Sequence, residues 1–123
     1  MSTYDNLPVY KVSYDLLLII FSVVKEFAKE YKYTLWDSIK KEIIDLISNI
    51  YRANISFSNR LVCIKQAREN IEIVRLYIRL TKDLKQLNIP KFAEINEKIE
   101  SISKQLLYWE WAYKSKEGQN LVW

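Results

Sequence analysis

Apolar residues recur along most of this chain at spacings of three and four, the period of a helix that buries one side. Over 8–30, Val9, Val12, Leu16, Ile19, Val23 and Phe27 form one stripe, and Leu17, Leu18, Ile20, Phe21 and Val24 carry it almost all round the wheel. Pro8 falls in the first turn, where a missing N–H costs least. Tyr31, Lys32 and Tyr33 make a short connection. Thr34 is the predicted N-cap of a second helix over 35–54, with Asp37 three residues on and Ile39, Ile43, Leu46, Ile47 and Ile50 facing inward. Ser58 is the predicted cap of a third helix over 59–87, which ends before Asn88, Ile89 and Pro90. A fourth helix over 91–114 carries Phe92, Ile95, Ile99, Ile102, Leu106, Trp109 and Tyr113 in alternating steps of three and four, an a/d seam. The polar start at 1–6 and the tail at 115–123, which holds Gly118, are expected to be loose.

Four helices joined by short loops predict an all-α, up-down-up-down four-helix bundle, one domain over 1–123. One Gly and two Pro in 123 residues leave little material for the turns of a sheet. Two helices carry more apolar surface than one small core takes up. The first is greasy nearly all round. The third has two lobes: Ala67, Ile71, Val74 and Ile78 form one, and Ile73, Leu76, Tyr77, Leu80, Leu84 and Leu87 the other. Helices of that kind call for burial on two sides, one inside the protomer and one against a neighbouring subunit.

Charge singles out the third helix. The chain carries a net +4, and so does 58–87 alone, while the remaining segments nearly cancel. At about 100° per residue, Lys65, Arg68, Arg75, Arg79 and Lys82 share an arc of roughly 100°, with Glu72 inside it and Asp83 at its edge. Such an arc suits a solvated face and an anion-binding face equally.

The available chemistry is sparse. There is no His, so the commonest general base and metal ligand is missing. Cys63 is the lone thiol, expected to be buried and inert, and it fits a reducing, cytoplasmic compartment. A single Gly rules out a phosphate-cradling loop. Carboxylate pairs such as Glu26/Glu30 and Glu97/Glu100 have helical spacing but no histidine beside them, and read as exposed faces. No catalytic residue, metal, cofactor or small-molecule substrate is expected. The start MSTYDNLP has no basic n-region followed by an apolar run, so no signal peptide is expected. The longest uncharged apolar run, 16–24, is too short for a bilayer, which needs about 20 residues. Tyr31, Tyr33 and Trp36 cluster near the second helix, and Tyr108, Trp109, Trp111, Tyr113 and Trp123 near the C-terminus. Aromatic clusters stack on unpaired bases in some proteins and more often fill a core or a protein interface.

Three stretches, LPVYKVSYDLLLIIF (7–21), EYKYTLWDSIKKEIIDLISNIYRAN (30–54) and VRLYIRLTKDLKQLNI (74–89), together resemble the Avd family, the accessory variability determinant proteins of diversity-generating retroelements. The wider group of four-helix bundles includes proteins encoded by intervening sequences of large-subunit ribosomal RNA. The resemblance covers about 7–114. It implies a bundle assembled as a ring-like homopentamer with a basic surface. It implies binding to a reverse transcriptase and to template RNA or cDNA through phosphate contacts, in support of mutagenic reverse transcription, with no catalysis by this chain. Arg75, Arg79, Lys82 and Asp83 match the family's Arg-rich third helix, and Tyr51, Arg52, Ala53 and Asn54 the end of its second. Trp36, and Leu107 with Tyr108, stand where relatives often carry smaller residues. The candidate binding residues are therefore Arg52, Lys65, Arg68, Arg75, Arg79 and Lys82. The alternative is a scaffolding oligomer of the ribosomal intervening-sequence kind with no polymerase partner.

Overall fold

A computed structural model describes residues 7–121, with the side chains of 26 and 116–121 excepted. Four long helices make the fold: α1 (Pro8–Val23), α2 (Asp37–Ile55), α3 (Arg60–Asp83) and α4 (Ile89–Leu121). No strand occurs among the described residues. Each helix packs on its sequence neighbours and α4 closes back on α1, the square of an up-down-up-down bundle. The core is aliphatic: Leu16 and Ile20 from α1, Ile39, Ile43, Leu46 and Ile50 from α2, Ile71, Val74 and Ile78 from α3, and Ile95, Ile99, Ile102 and Leu106 from α4. Each side chain buried this fully contributes about 1.5–3 kcal/mol of transfer free energy. The predicted seam of α4 is therefore the core face of that helix, and the predicted inner face of α2 is buried except for half-buried Ile47. Ser13 and Thr81 also lie in the core, where each hydroxyl donates back along its own helix, to the Val9 and Tyr77 carbonyls.

The helix ends differ from the sequence expectation, each for a local reason. α1 stops at Val23 and tightens into a 3₁₀ turn over Val24–Glu26, well before residue 30. Phe27 and Ala28 are extended, which drops the Phe27 ring into the core, edge-on to Trp36 at 5.5 Å. The chain turns helical again at Lys29–Tyr31 and passes through a π-helical stretch, Lys32–Trp36, into α2. Thr34 therefore lies inside helix and caps nothing: its hydroxyl donates to the Glu30 carbonyl. Ala28 precedes the first turn, and its N–H donates to Gln86 Oε1 at 2.7 Å, from the α3–α4 connection. Ser58 does not cap α3 either, since it stands in the turn before Asn59.

At its far end α3 stops at Asp83 rather than 87. Lys85 adopts φ 60°, and the Lys85 and Gln86 N–H groups donate to the Lys82 and Thr81 carbonyls. That is a Schellman closure, built on a lysine where glycine is the usual occupant. Asn88 then caps α4, its side-chain oxygen accepting from the Lys91 N–H at 2.8 Å. Ile89 and Pro90 form the first turn of α4 instead of a linker. α4 also runs on as helix to Leu121, past the expected end at 114. The expectations for 1–6 and 122–123 lie outside the described residues.

Candidate nucleic-acid interface

The basic edge of α3 faces α4, and the antiparallel pairing of these helices sets the surroundings of each cation. Arg68 Nη1 donates to Glu110 Oε2, and the Lys114 ammonium stands 3.9 Å from Glu110 Oε1. The Glu110 side chain is only 7% exposed while that of Arg68 is 42% exposed, so the guanidinium covers a carboxylate that water does not reach. One stretch along, Arg75 Nε donates to Glu72 at 3.1 Å and its Nη1 to Glu100 of α4. The Lys82 ammonium lies over the Phe92 ring, 4.7 Å from its centre. Lys65 and Arg79 are exposed and have no ion-pair partner among the described residues.

The six candidate residues thus separate. Arg68 and Arg75 hold carboxylates and tie α3 to α4. Lys82 keeps its charge at the surface against an aromatic face. Lys65 and Arg79 present unneutralised charge to solvent. Arg52 belongs to another site: it is exposed on α2 and lines a groove with Tyr10, Ile47, Tyr51 and Ile55. A further cation of the basic stretch, Arg60, donates to the Ala53 and Asn54 carbonyls at 2.7 and 3.2 Å, closing the end of α2.

Glu110 and Glu100 are the partners that the charge count missed. A signal for the first was present, since residue 110 follows the seam residue Trp109, and seam-flanking positions reach the adjacent helix. Glu100 follows the seam residue Ile99 in the same way, although beside Glu97 it reads as outer surface.

Apolar surface remains outside the core. Tyr14, Leu18 and Phe21 on α1 recur at helical spacing, and Ile44, Tyr51 and Ile55 do so on α2. Tyr10 joins the two rows, stacking near Tyr14 at 6.3 Å and sharing a groove with Tyr51 and Ile55. α1 is therefore greasy on its outer side, as its sequence indicates, with Leu18 53% exposed. On α3 one lobe is core, Ala67, Ile71, Val74 and Ile78; of the other predicted lobe, Leu87 is buried and Tyr77 and Leu84 pack against the core, while Leu76 and Leu80 are exposed, together with Val62. Scattered apolar residues need no explanation, but contiguous rows on adjacent helices mark contact surfaces.

Among the described residues no group of three or more Cys, Asp or Glu side chains stands close enough to hold a metal ion. Cys63 is buried beside Ala53, Ile64 and Trp109. Among the described residues no helix is long and apolar enough to cross a membrane. A family model described as bAvd-like matches residues 9–112 of the chain. No curated protein matches it.

Proposed function

Because the chain belongs to the bAvd-like family, whose members are non-catalytic accessory proteins of diversity-generating retroelements, we propose that it binds template RNA or cDNA and the reverse transcriptase, and so supports mutagenic copying. The observation that carries this reading is the exposed pair Lys65 and Arg79, without an ion-pair partner among the described residues, on the helix that carries +3 of the chain's net +4. Contact there is to phosphate, because nothing on this edge is shaped to read base edges, so sequence preference is weak.

Copies of the chain assemble in this reading. The α1–α2 rows and the exposed Val62, Leu76 and Leu80 of α3 are two different apolar surfaces on one protomer, which is the requirement for a heterologous interface. Repeated copies then close into a ring if the rotation allows. A ring of five carries about +20 from five chains of +4, turning a mild local bias into a field that concentrates polyanions. The commitment of Arg68 and Arg75 to carboxylates favours the scaffolding alternative, in which α3 serves only to hold the bundle.

Fluorescence anisotropy with a labelled RNA over a salt series separates the two. The Lys65→Ala/Arg79→Ala variant is expected to bind more weakly, with a log K against log salt slope shallower by about 0.7 for each phosphate of a single strand that is no longer neutralised. Identical affinity and slope in variant and parent would refute phosphate binding by this edge.

A further inference from the structure

The run Tyr108–Trp111 is divided by the fold. Trp109 packs against the core and Glu110 is buried, while Tyr108 and Trp111 stand 68% and 63% exposed, their ring centres 6.1 Å apart and tilted by 37°. Packing within the protomer does not explain these two rings.

Lysines stand near them. From residue 101 to 115, α4 carries Lys104 and Lys114 and a single carboxylate, Glu110, which Arg68 covers. The Arg68–Glu110 contact fixes the level at which the antiparallel α3 and α4 meet. Lys65, three residues before Arg68, and Lys114, four after Glu110, therefore lie toward the same end of the bundle as Trp111. Lys65 also lines a groove with Arg68 and the carboxylates Glu69, Glu72 and Glu110. Tyr108 and Lys104 also line a groove with Leu7, Pro8 and Val9 at the start of α1, and Leu107 beside them is exposed, so the two rings stand between lysines and a small apolar surface.

Exposed rings beside cations suit a single-stranded nucleic acid, since every base offers a π-face and every nucleotide a charge; Lys104 has no ion-pair partner among the described residues, and Lys114 shares Glu110 with Arg68. We propose that Tyr108 and Trp111 form a stacking platform for unpaired bases, with Lys65, Lys104 and Lys114 holding the phosphates on either side. This rests on the nucleic-acid reading above and adds to it a place and a strand state: single strands are held here by their bases, whereas Lys65 and Arg79 alone would hold any phosphate backbone. A protein surface docking on the same rings is the competing occupant.

The test uses the full chain, its Tyr108→Ala/Trp111→Ala variant and its Tyr108→Phe/Trp111→Phe variant. Two labelled probes of equal length are compared, an oligouridylate and an abasic oligonucleotide with the same number of phosphates. The Ala variant is expected to lose about tenfold or more in affinity for oligouridylate, to bind the abasic probe as the parent does, and to keep its salt slope; the Phe variant retains most of the affinity. Equal losses on both probes, or none on either, overturn the platform while leaving phosphate binding intact. Light scattering that shows the Ala variant falling apart into smaller assemblies assigns the rings to protein contact instead. Failure of the parent to bind either probe defeats the nucleic-acid reading together with the platform. Far-UV circular dichroism that matches the parent shows that the variants fold, as expected for substitutions at two exposed side chains.

Discussion

Removing the Arg68 guanidinium would leave the Glu110 carboxylate buried with only Lys114, 3.9 Å away, as counter-charge. An Arg68→Ala change is therefore expected to cost about 2 kcal/mol of stability in urea denaturation, through removal of a charge-assisted hydrogen bond to a buried acid. Arg79→Ala is expected to change stability by no more than about 0.5 kcal/mol, because Arg79 has no ion-pair partner among the described residues. The two arginines look alike on a helical wheel, and only α4 tells them apart. Lys85 is the opposite case, a residue whose own backbone works against it. Its φ of 60° costs a residue with a Cβ about 1 kcal/mol that glycine avoids. Lys85→Gly is expected to raise the denaturation midpoint by a corresponding amount while the packing around it stays the same; an unchanged or lowered midpoint would count against the Schellman closure.

Between elements, the connection from α1 to α2 is where hydrophobic burial overrides helical periodicity. Phe27 continues the α1 stripe on the wheel, and the sequence alone runs the helix through it. In the fold the same ring reaches the core by breaking the helix, with Trp36 supplied from the far side of the break. Phe27→Ala is expected to cost about 3 kcal/mol, a large-to-small change in a packed site, read by thermal or urea unfolding. A cost below about 1 kcal/mol would mean that the connection, not the ring, sets the break. At the start of α4, Asn88→Ala is expected to cost about 1 kcal/mol, the usual effect of removing a side-chain N-cap. The predicted caps Thr34 and Ser58 should be nearly silent by the same measurement. The interior of each helix was legible in the sequence, because Ile39, Ile43, Leu46 and Ile50, or Ile95, Ile99, Ile102 and Leu106, follow the helical period and are buried. The ends were not, because they are decided by single contacts that a helical period does not show: Gln86 for Ala28, the Trp36 ring for Phe27, and the backbone closure at Lys85. The basic edge was legible as a set of positions, but the fate of each charge depends on carboxylates of α4 that a single-helix wheel does not contain.

At the scale of the molecule, the protomer buries a complete aliphatic core and still shows rows of large apolar side chains on α1, α2 and α3. In the proposed assembly those rows meet between copies, which leaves the cationic edge of α3 and the aromatic pair of α4 facing solvent around it. Placing a charge in the α1 row, as in Leu18→Glu, should disperse the assembly while the bundle stays folded, since Leu18 is outside the core. The most direct test is the mass of the unmodified protein in solution by light scattering, alone and with RNA. The expected mass is a fixed multiple of the 14.8 kDa chain, about 74 kDa for five copies. Added RNA should raise the mass by the mass of the RNA without changing the number of chains. A stable 14.8 kDa protomer that gains no mass with RNA would overturn both the assembly and its nucleic-acid binding.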